Sequence, residues 1–311
     1  MINRRIPLTR TIVLAIRLER YREIVHGRAG ARFLEADLEG KLLRAGELSS
    51  PCRLCERRCG ADRRGGKTGS CGVPGARVSS EFLHYGEEPE LVPSHTIFFA
   101  GCTFKCAFCQ NWDISQDPAA GIEMAPASLA DRIERGGGIN VNWVGGDPTS
   151  NLEYILRVMR ELRDRDMNIA QVWNSNMYLT EEAMGVLDGV VDVYLSDFKY
   201  GNDRCARRLS GVDRYFEVVS RNHRLAAGQC EILLRHLVMP GHIECCTRPV
   251  LDWVAANIPN DRLRVNVMDQ YHPDHMVLRE KEKYPELCRR LRPQEFLEAY
   301  EHARRLGLDL V

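Results

Sequence analysis

The stretch TIFFAGCTFKCAFC (residues 96–109) joins an apolar, β-like run to three cysteines in the spacing C-x3-C-x2-C. Loops that leave the carboxyl ends of strands form the active face of α/β barrels. Three thiolates, from Cys102, Cys106 and Cys109, can hold three irons of a [4Fe–4S] cluster, which otherwise takes four cysteines. The fourth iron would then accept a non-protein ligand, and such an open position distinguishes catalytic metal sites from closed structural ones.

Around this stretch, from residue 95 onward, short β-like runs alternate with helical patterns. Such alternation predicts right-handed βαβ units with a parallel sheet, and six repeats fit a partial or complete α/β barrel. The predicted strands are 96–100, 140–144, 169–173, 190–195, 231–238 and 262–267. The predicted helices lie near 127–135, 151–164, 180–187, 213–227, 246–257 and 293–305, and residues 11–45 also look largely helical.

Three further motifs follow the predicted strands in order. They are Gly145-Gly146-Asp147-Pro148 after the second strand, Ser196-Asp197-Phe198-Lys199 after the fourth, and RHLVMPG (residues 235–241) at the end of the fifth. With the cysteine motif, they resemble the corresponding segments of the radical S-adenosylmethionine (SAM) superfamily. The closest resemblance is to pyruvate formate-lyase activating enzyme homologues with an N-terminal cysteine region, over most of residues 50–280.

This resemblance implies a fold and an activity. The fold is an α/β, partial (β/α)6 barrel with a small N-terminal helical and cysteine-rich metal-binding extension. The activity is that of an oxidoreductase that reductively cleaves SAM at a [4Fe–4S] cluster, so that a 5′-deoxyadenosyl radical abstracts a hydrogen atom. The implied substrate is a polypeptide, such as a glycyl residue of a partner enzyme, and the alternative is a small metabolite. A one-electron reductant such as flavodoxin or ferredoxin is the expected partner.

The resemblance also assigns roles to individual residues. The cluster ligands are Cys102, Cys106 and Cys109. The methionyl ammonium would be bound by Asp147, which stands where the family usually has the longer Glu. The remaining predicted cofactor contacts are Gly145 and Gly146 for close backbone approach, Lys199 and Arg235 for the SAM carboxylate, Asn174 and Asn176 for the carboxylate or ribose, Phe108 for the adenine, and Asp197. For the polar residues, the alternative is an ordinary loop hydrogen bond or a surface charge.

A second cysteine group precedes the barrel-like section. Cys52, Cys55, Cys59 and Cys71 lie in a glycine- and arginine-rich loop that has too few apolar residues for a core of its own. Four thiolates can close a tetrahedral zinc site or hold an all-thiolate iron–sulfur cluster, and metal binding could supply the folding energy. The spacing does not separate zinc from a second cluster, and the alternative is four reduced thiols on a loop.

The other cysteines carry weaker signals. The vicinal pair Cys245-Cys246 follows a Pro-Gly turn. It is interpreted as two small hydrophobic residues at a helix start, or as a thiol near the radical that donates hydrogen or contacts a soft metal. Cys205, Cys230 and Cys288 are isolated in sequence and are expected to be packed.

Composition limits the compartment and the partners. The 12 cysteines are about 4% of 311 residues, which is too few for a secreted disulfide scaffold. No signal peptide and no apolar stretch of ~20 residues is visible, so we expect a cytoplasmic protein with reduced thiols and no membrane partner. The formal net charge is zero, which does not support whole-chain attraction to nucleic acid. A non-catalytic iron–sulfur electron-transfer or metal-binding protein is the competing hypothesis of another class.

The charge distribution and the motifs together suggest a division of the chain. Residues 1–70 carry 16 Lys and Arg against 8 Asp and Glu, and the rest carries 27 against 35. This asymmetry has two interpretations. It arises by chance, or the basic front end (residues 1–70) packs on the acidic body that follows it or meets an acidic partner. The expected units are a helical extension (1–50), a cysteine-rich metal-binding segment (51–80), the partial barrel (81–280) and a C-terminal helical segment (281–311).

Overall fold

The computed structural model describes residues 18–311, which form a seven-stranded sheet in sequential strand order. The strands are β1 (Val78–His84), β2 (Ser94–Phe99), β3 (Asn140–Gly145), β4 (Ala170–Ser175), β5 (Val193–Asp197), β6 (Glu231–Leu237) and β7 (Leu263–Met268). β1 runs antiparallel to β2, and the neighbouring pairs from β2 to β7 are all parallel. Within the described residues, β1 and β7 are the two edges of an open sheet, so the barrel is partial.

Helices cover the outside of this sheet. They are α1 (Glu19–Val25), α2 (Leu38–Ser49), α3 (Trp112–Ser115), α4 (Pro126–Gly136), α5 (Leu152–Arg163), α6 (Glu181–Leu187), α7 (Asp203–Ser210), α8 (Tyr215–Gln229), α9 (Arg248–Asn257), α10 (His275–Arg279) and α11 (Pro293–Arg305). Parallel strands covered on both faces are apolar and buried throughout, and β4 is buried at every position. Among residues 18–311, none of the helices combines the length and the apolar character that a membrane span requires.

The predicted α/β partial barrel is confirmed. The six predicted strands overlap β2 to β7, with ends that differ by up to three residues. The prediction missed β1, α7 and the one-turn helices α3 and α10. β1 is a partly exposed edge strand, so it lacks the continuous apolar run that marks a central strand. α7 has only eight residues and three of them are arginines, so its apolar positions are few.

The N-terminal stretch is helical only in part. The predicted pattern covered 11–45, and its first seven positions lie outside the described residues. In the remainder, α1 and α2 are separated by a 3-10 turn at Arg32–Leu34. Two carboxylates account for the break: Asp192 accepts a hydrogen bond from the backbone N of Arg32 at 3.0 Å, and Asp37 caps α2 by accepting from Gly40 N at 3.0 Å.

The parallel topology brings the functional loops together. Because β2 to β7 run in the same direction, their carboxyl ends open at one end of the partial barrel. The connections that follow Phe99, Gly145, Ser175, Asp197 and Leu237 therefore meet there, although they come from distant parts of the sequence.

Candidate functional site

A cavity of about 620 Å³ lies at the carboxyl ends of the strands. This volume is within the ~300–1,000 Å³ range of small-molecule sites. All twelve residues predicted for the [4Fe–4S] cluster and the SAM contacts line it: Cys102, Cys106, Phe108, Cys109, Gly145, Gly146, Asp147, Asn174, Asn176, Asp197, Lys199 and Arg235. The fold thus collects onto one surface residues that are separated by up to 133 positions in the chain.

The three cysteines of the first motif occupy the loop after β2. The side chains of Cys102 and Cys106 are buried, and Cys109 is half-buried. The Sγ of Cys106 lies 2.9 Å from the Ser210 hydroxyl, and the Sγ of Cys109 lies 3.2 Å from the Ser115 hydroxyl. Burial raises the pKa of Cys102 and raises that of Cys106 to about 12.

Backbone hydrogen bonds fix the shape of this loop. Lys105 N donates to Ser210 O at 3.0 Å, and Ala107 N donates to Leu209 O at 2.7 Å, so the end of α7 supports the loop. Gly101 begins the loop with φ of 80°, in the left-handed region, and a Cβ there would lie 2.2 Å from Val73 Cγ2. A side chain at Gly101 is therefore excluded by both conformation and packing.

The two glycines after β3 pack against protein backbone. A Cβ on Gly145 would lie 2.0 Å from Phe99 N, and a Cβ on Gly146 would lie 1.9 Å from Gly101 O. The sequence analysis attributed these glycines to a close approach of the backbone to the cofactor. In the structure, the backbone segments that approach each other closely are the ends of β2 and β3. This contact holds the cysteine loop beside the Gly-Gly segment.

Asp147 is a buried junction between two strand ends. Its Oδ1 accepts from Thr149 N, and its Oδ2 accepts from the Ser175 hydroxyl and from Asn176 N, each at 3.0 Å. These donors use three of the roughly four acceptor sites of a carboxylate. Burial raises the pKa of Asp147, and the hydrogen bonds from Thr149 and Asn176 oppose that rise. The carboxyl group anchors the loop after β3 to the end of β4.

The other predicted side chains on this surface have identifiable neighbours. Asn176 donates to the Thr103 hydroxyl at 2.9 Å, and its amide nitrogen lies 3.9 Å from Cys102 Sγ. The ring of Phe108 meets the ring of Tyr271 edge-on, with centroids 6.0 Å apart. Asn174 lines the cavity from the end of β4.

Lys199 and Asp197 are charged residues that line the cavity, and they form an ion pair with each other. Burial lowers the pKa of Lys199, but the carboxylate of Asp197 outweighs it and raises the pKa above its ordinary value. Asp197 thus favours the charged form of the Lys199 ammonium.

Arg235 meets two glutamates that the sequence-based prediction missed. Its guanidinium forms hydrogen bonds of 2.7 and 2.6 Å to the two carboxylate oxygens of Glu88, and it also contacts Glu87. Asn266 donates to Glu88 Oε1 at 2.8 Å. Burial opposes ionisation of Glu88, yet Arg235 holds its pKa below the usual value. The sequence does contain a signal for these residues, which is the acidic run between β1 and β2. Because β1 was not predicted, nothing in the sequence indicated that this run reaches the cavity.

The N-terminal cysteine segment packs against the same end of the barrel. The backbone of Cys55 forms an isolated antiparallel β-bridge with Leu179 in the loop after β4. Arg57 donates a hydrogen bond of 2.6 Å to Thr103 O in the first cysteine motif. Cys52, Cys55 and Cys71 are buried and Cys59 is exposed. Burial raises the pKa of Cys55 to about 12. The four cysteines thus adjoin the loop that carries Cys102.

Arginines of this segment also reach acidic residues of the barrel. Arg58 lies 3.3 Å from Glu182, and Arg64 lies 3.4 Å from Glu153. These contacts fit the hypothesis that the basic front end packs on an acidic body. The arginine side chains are largely exposed, so each pair contributes at most about 1 kcal/mol.

Cys205 is buried, in agreement with the prediction that it is packed, but it is not isolated in space. Its Sγ lies 3.8 Å from the Sγ of Cys245, because the loop after β5 and the loop after β6 run side by side. Among residues 18–311, one set of three or more His, Cys, Asp or Glu side chains has all its ligand atoms within 4.8 Å of one another: Cys205, His242, Cys245 and Cys246. None of the four lines the cavity described above.

Comparisons with known proteins agree with the motifs. A model of the radical SAM superfamily matches residues 96–254. The uncharacterized protein MJ0674 of Methanocaldococcus jannaschii is 47% identical over 282 residues, which cover 88% of this chain and 80% of that protein. Pyruvate formate-lyase 1-activating enzyme of Escherichia coli K12 is 24% identical over 152 residues, 46% of this chain and 60% of that enzyme. The crystal structure of a radical SAM methyltransferase from Sphaerobacter thermophilus aligns with a TM-score of 0.49 and 13% identity, over 71% of this chain and 66% of that chain.

Proposed function

Because the chain belongs to the radical SAM superfamily, we propose that Cys102, Cys106 and Cys109 bind a [4Fe–4S] cluster and that the adjoining cavity binds SAM. The observation that carries this proposal is that the three thiols line one cavity together with the Gly-Gly-Asp segment and a charged lysine. Among the described residues that line the cavity, there is no fourth cysteine. The three thiols therefore suit a cluster that has one iron open to another ligand.

When bound, the cluster and SAM supply the one-electron cleavage that generates a 5′-deoxyadenosyl radical for hydrogen-atom abstraction. The protein's part is to bind and orient them. We assign to Lys199 the binding of the SAM carboxylate, since its side chain lines the cavity together with the three cysteines. Asp147 lines the cavity, and we assign its carboxylate to the methionyl ammonium.

Further contacts follow from the same cavity. Asn174 and Asn176 are offered for the ribose or the carboxylate, and Phe108 for the adenine. Gly145 and Gly146 keep the loop after β3 free of side chains. Arg235 is held by Glu87 and Glu88, so we assign it a positioning role beside Asp197 and Lys199 in addition to the carboxylate contact that the resemblance implies.

For the substrate, we propose a polypeptide, as in a glycyl-radical activating enzyme. Support comes from the 24% identity to pyruvate formate-lyase 1-activating enzyme over 46% of this chain. A flavodoxin or ferredoxin is the proposed reductant, and the cytoplasm is the proposed location, because cysteines that bind metals stay reduced in that compartment.

The N-terminal cysteines are proposed to bind a metal of their own. Cys52, Cys55, Cys59 and Cys71 would take either a structural zinc ion or a second iron–sulfur cluster. We retain the four-unit division at residues 50, 80 and 280 as a proposal, with the second unit as the metal-binding segment.

The test uses full-length protein reconstituted with iron and sulfide without oxygen. We expect the reduced wild type to bind SAM in calorimetry and to release 5′-deoxyadenosine. Cys106→Ala should lose the iron–sulfur absorbance of this cluster and the 5′-deoxyadenosine, whereas Cys230→Ser, at a buried cysteine outside the cavity, should keep both. A wild-type protein that carries the cluster but neither binds nor cleaves SAM would instead be a non-catalytic electron-transfer protein.

A further inference from the structure

Four potential metal ligands converge outside the cavity from two separate connections of the barrel. Cys205 lies in the first turn of α7, after β5. His242, Cys245 and Cys246 lie between β6 and α9, where residues Ile243–Thr247 form a π-helical turn. In this turn Thr247 N donates to His242 O at 3.1 Å, a wide i to i+5 closure. The turn therefore brings a histidine and two adjacent cysteines to the same side.

The distances among the four side chains suit a single small ion. Cys245 Sγ lies 3.8 Å from Cys205 Sγ and 3.9 Å from Cys246 Sγ. The Nδ1 of His242 lies 3.3 Å from Cys245 Sγ and 3.7 Å from Cys246 Sγ. With Zn–S bonds of about 2.3 Å and Zn–N bonds of about 2.05 Å, a tetrahedral site places two sulfurs about 3.8 Å apart and a sulfur and a nitrogen about 3.6 Å apart. These four ligand–ligand distances are close to those of a zinc tetrahedron, and all four ligand atoms lie within 4.8 Å of one another.

The surroundings of His242 orient it for this role. Its Nδ1 faces the thiols, and its Nε2 lies 3.5 Å from Glu286 Oε1. Glu286 is held in turn by Arg208, with a distance of 2.5 Å between Arg208 NH1 and Glu286 Oε1. A carboxylate behind the second nitrogen of a histidine is the usual support of a metal-bound imidazole. Proton placement on Nε2 leaves the Nδ1 lone pair free for a metal.

We propose that Cys205, His242, Cys245 and Cys246 form a closed structural zinc site. Three thiolates and one imidazole are ligands that zinc prefers, and Cys3His is one of its common structural sets. Cys205, His242 and Cys246 are buried and Cys245 is half-buried, so four protein ligands leave no position for a substrate. The site is separate from the SAM cavity, and the inference does not depend on the proposed function.

A zinc ion here would cross-link the two loops and stabilise α7. The loops already pack closely, because a Cβ on Gly201 would lie 2.8 Å from Cys245 O. Asn202 donates to that same carbonyl at 2.6 Å and caps α7. α7 begins near Cys205 and ends at Ser210, which contacts Cys106. The zinc would therefore fix the helix that supports the first cysteine motif.

The test measures zinc in full-length protein purified without oxygen and without added metal. We expect Cys245→Ser to lose one zinc ion per chain relative to the wild type. Cys245 is half-buried, so serine there disturbs packing little. The matched control is Cys288→Ser, another half-buried cysteine outside the set, which should keep the wild-type zinc content. Cys55→Ser distinguishes this site from any zinc ion that the N-terminal cysteines bind. If they bind zinc, the double variant Cys55→Ser/Cys245→Ser should lose the zinc that each single variant loses.

A second measurement reports the ligands and geometry of the site without changing any of the four residues. The wild type loaded with Co²⁺ should show thiolate-to-cobalt charge-transfer bands and the intense ligand-field bands of a tetrahedral site, and these should survive Cys55→Ser. Equal zinc content in the wild type and Cys245→Ser would overturn the proposal. So would a Cys205–Cys245 disulfide found by mass spectrometry in the anaerobic protein, or cobalt bands that disappear with Cys55→Ser.

Discussion

The hydroxyl of Ser210, the last residue of α7, lies 2.9 Å from the Sγ of Cys106 and also 2.6 Å from the hydroxyl of Tyr200. Both contacts are buried. A hydrogen bond to a cluster sulfur stabilises the more negative, reduced state of the cluster and so raises its reduction potential. The structure thus connects a helix outside the cavity to the electron affinity of the proposed cluster.

Removing this hydroxyl should lower the cluster potential. With about 1 kcal/mol for one net hydrogen bond, Ser210→Ala should shift the one-electron potential by ~40 mV to more negative values. The measurement is a redox titration followed by electron paramagnetic resonance. Ser220→Ala, which removes a buried hydroxyl bonded to Glu217 O and outside the cavity, should leave the potential unchanged. Equal potentials in wild type and Ser210→Ala would contradict the connection.

The ion pair of Arg235 with Glu88 should be costly to break from one side. Arg235→Met leaves Glu87 and Glu88 buried without their cation, which should lower the free energy of unfolding by about 3–5 kcal/mol. Glu88→Gln should cost less, about 1–3 kcal/mol, because Glu87 still pairs with Arg235. Urea denaturation measures both values. A change below about 0.5 kcal/mol for Arg235→Met would mean that the pair is not formed in solution.

The packing of Gly146 against Gly101 should make alanine disruptive there. The added Cβ meets a backbone oxygen at 1.9 Å, so the cysteine loop must move, at a cost of about 1–3 kcal/mol in the free energy of unfolding. We expect reduced iron content after reconstitution of Gly146→Ala. Gly185→Ala is the matched control. This exposed glycine of α6 has nothing within 4 Å of its added Cβ, so the change should stabilise by about 0.5–1 kcal/mol.

The pH dependence of stability should include a contribution from Glu295. Hydrogen bonds from Arg289, and from the backbone amides of Arg292 and Gly241, lower the pKa of Glu295 from 4.5 to about 2. A depressed carboxyl pKa adds stability above pH 4.5, and this stability is lost as the pH falls toward 2. Because solvent screens part of the interaction, we expect about 1 kcal/mol at neutral pH.

The check for Glu295 is a comparison of unfolding free energies across pH. Glu295→Gln should be less stable than the wild type at pH 7, and the two curves should converge as the pH approaches 2. Parallel curves over the whole range would show that the carboxylate of Glu295 does not contribute through its charge.

Much of the barrel and the cysteine motif could be predicted because the signals are local. The strands β2 to β7 are short apolar runs between helical patterns, and Cys102, Cys106 and Cys109 lie within eight consecutive residues. The motifs after β3, β5 and β6 could be assigned to one site in advance, because parallel strands deliver their carboxyl ends to one edge. All twelve predicted residues line the cavity for that reason.

The sequence by itself therefore determined the order of the six parallel strands with most of their helices, and twelve of the residues that reach the cavity. Tertiary structure decided which of those residues form contacts with other side chains of the protein. Arg235 pairs with Glu88 across 147 positions, and Cys205 meets Cys245 across 40, and neither pairing leaves a periodic or spaced pattern in the chain. The physical reason is that periodicity and motif spacing record the backbone's local geometry. A contact between two connections depends on how the sheet brings them together, and this became visible only when β1, α7 and the π-helical turn were in place.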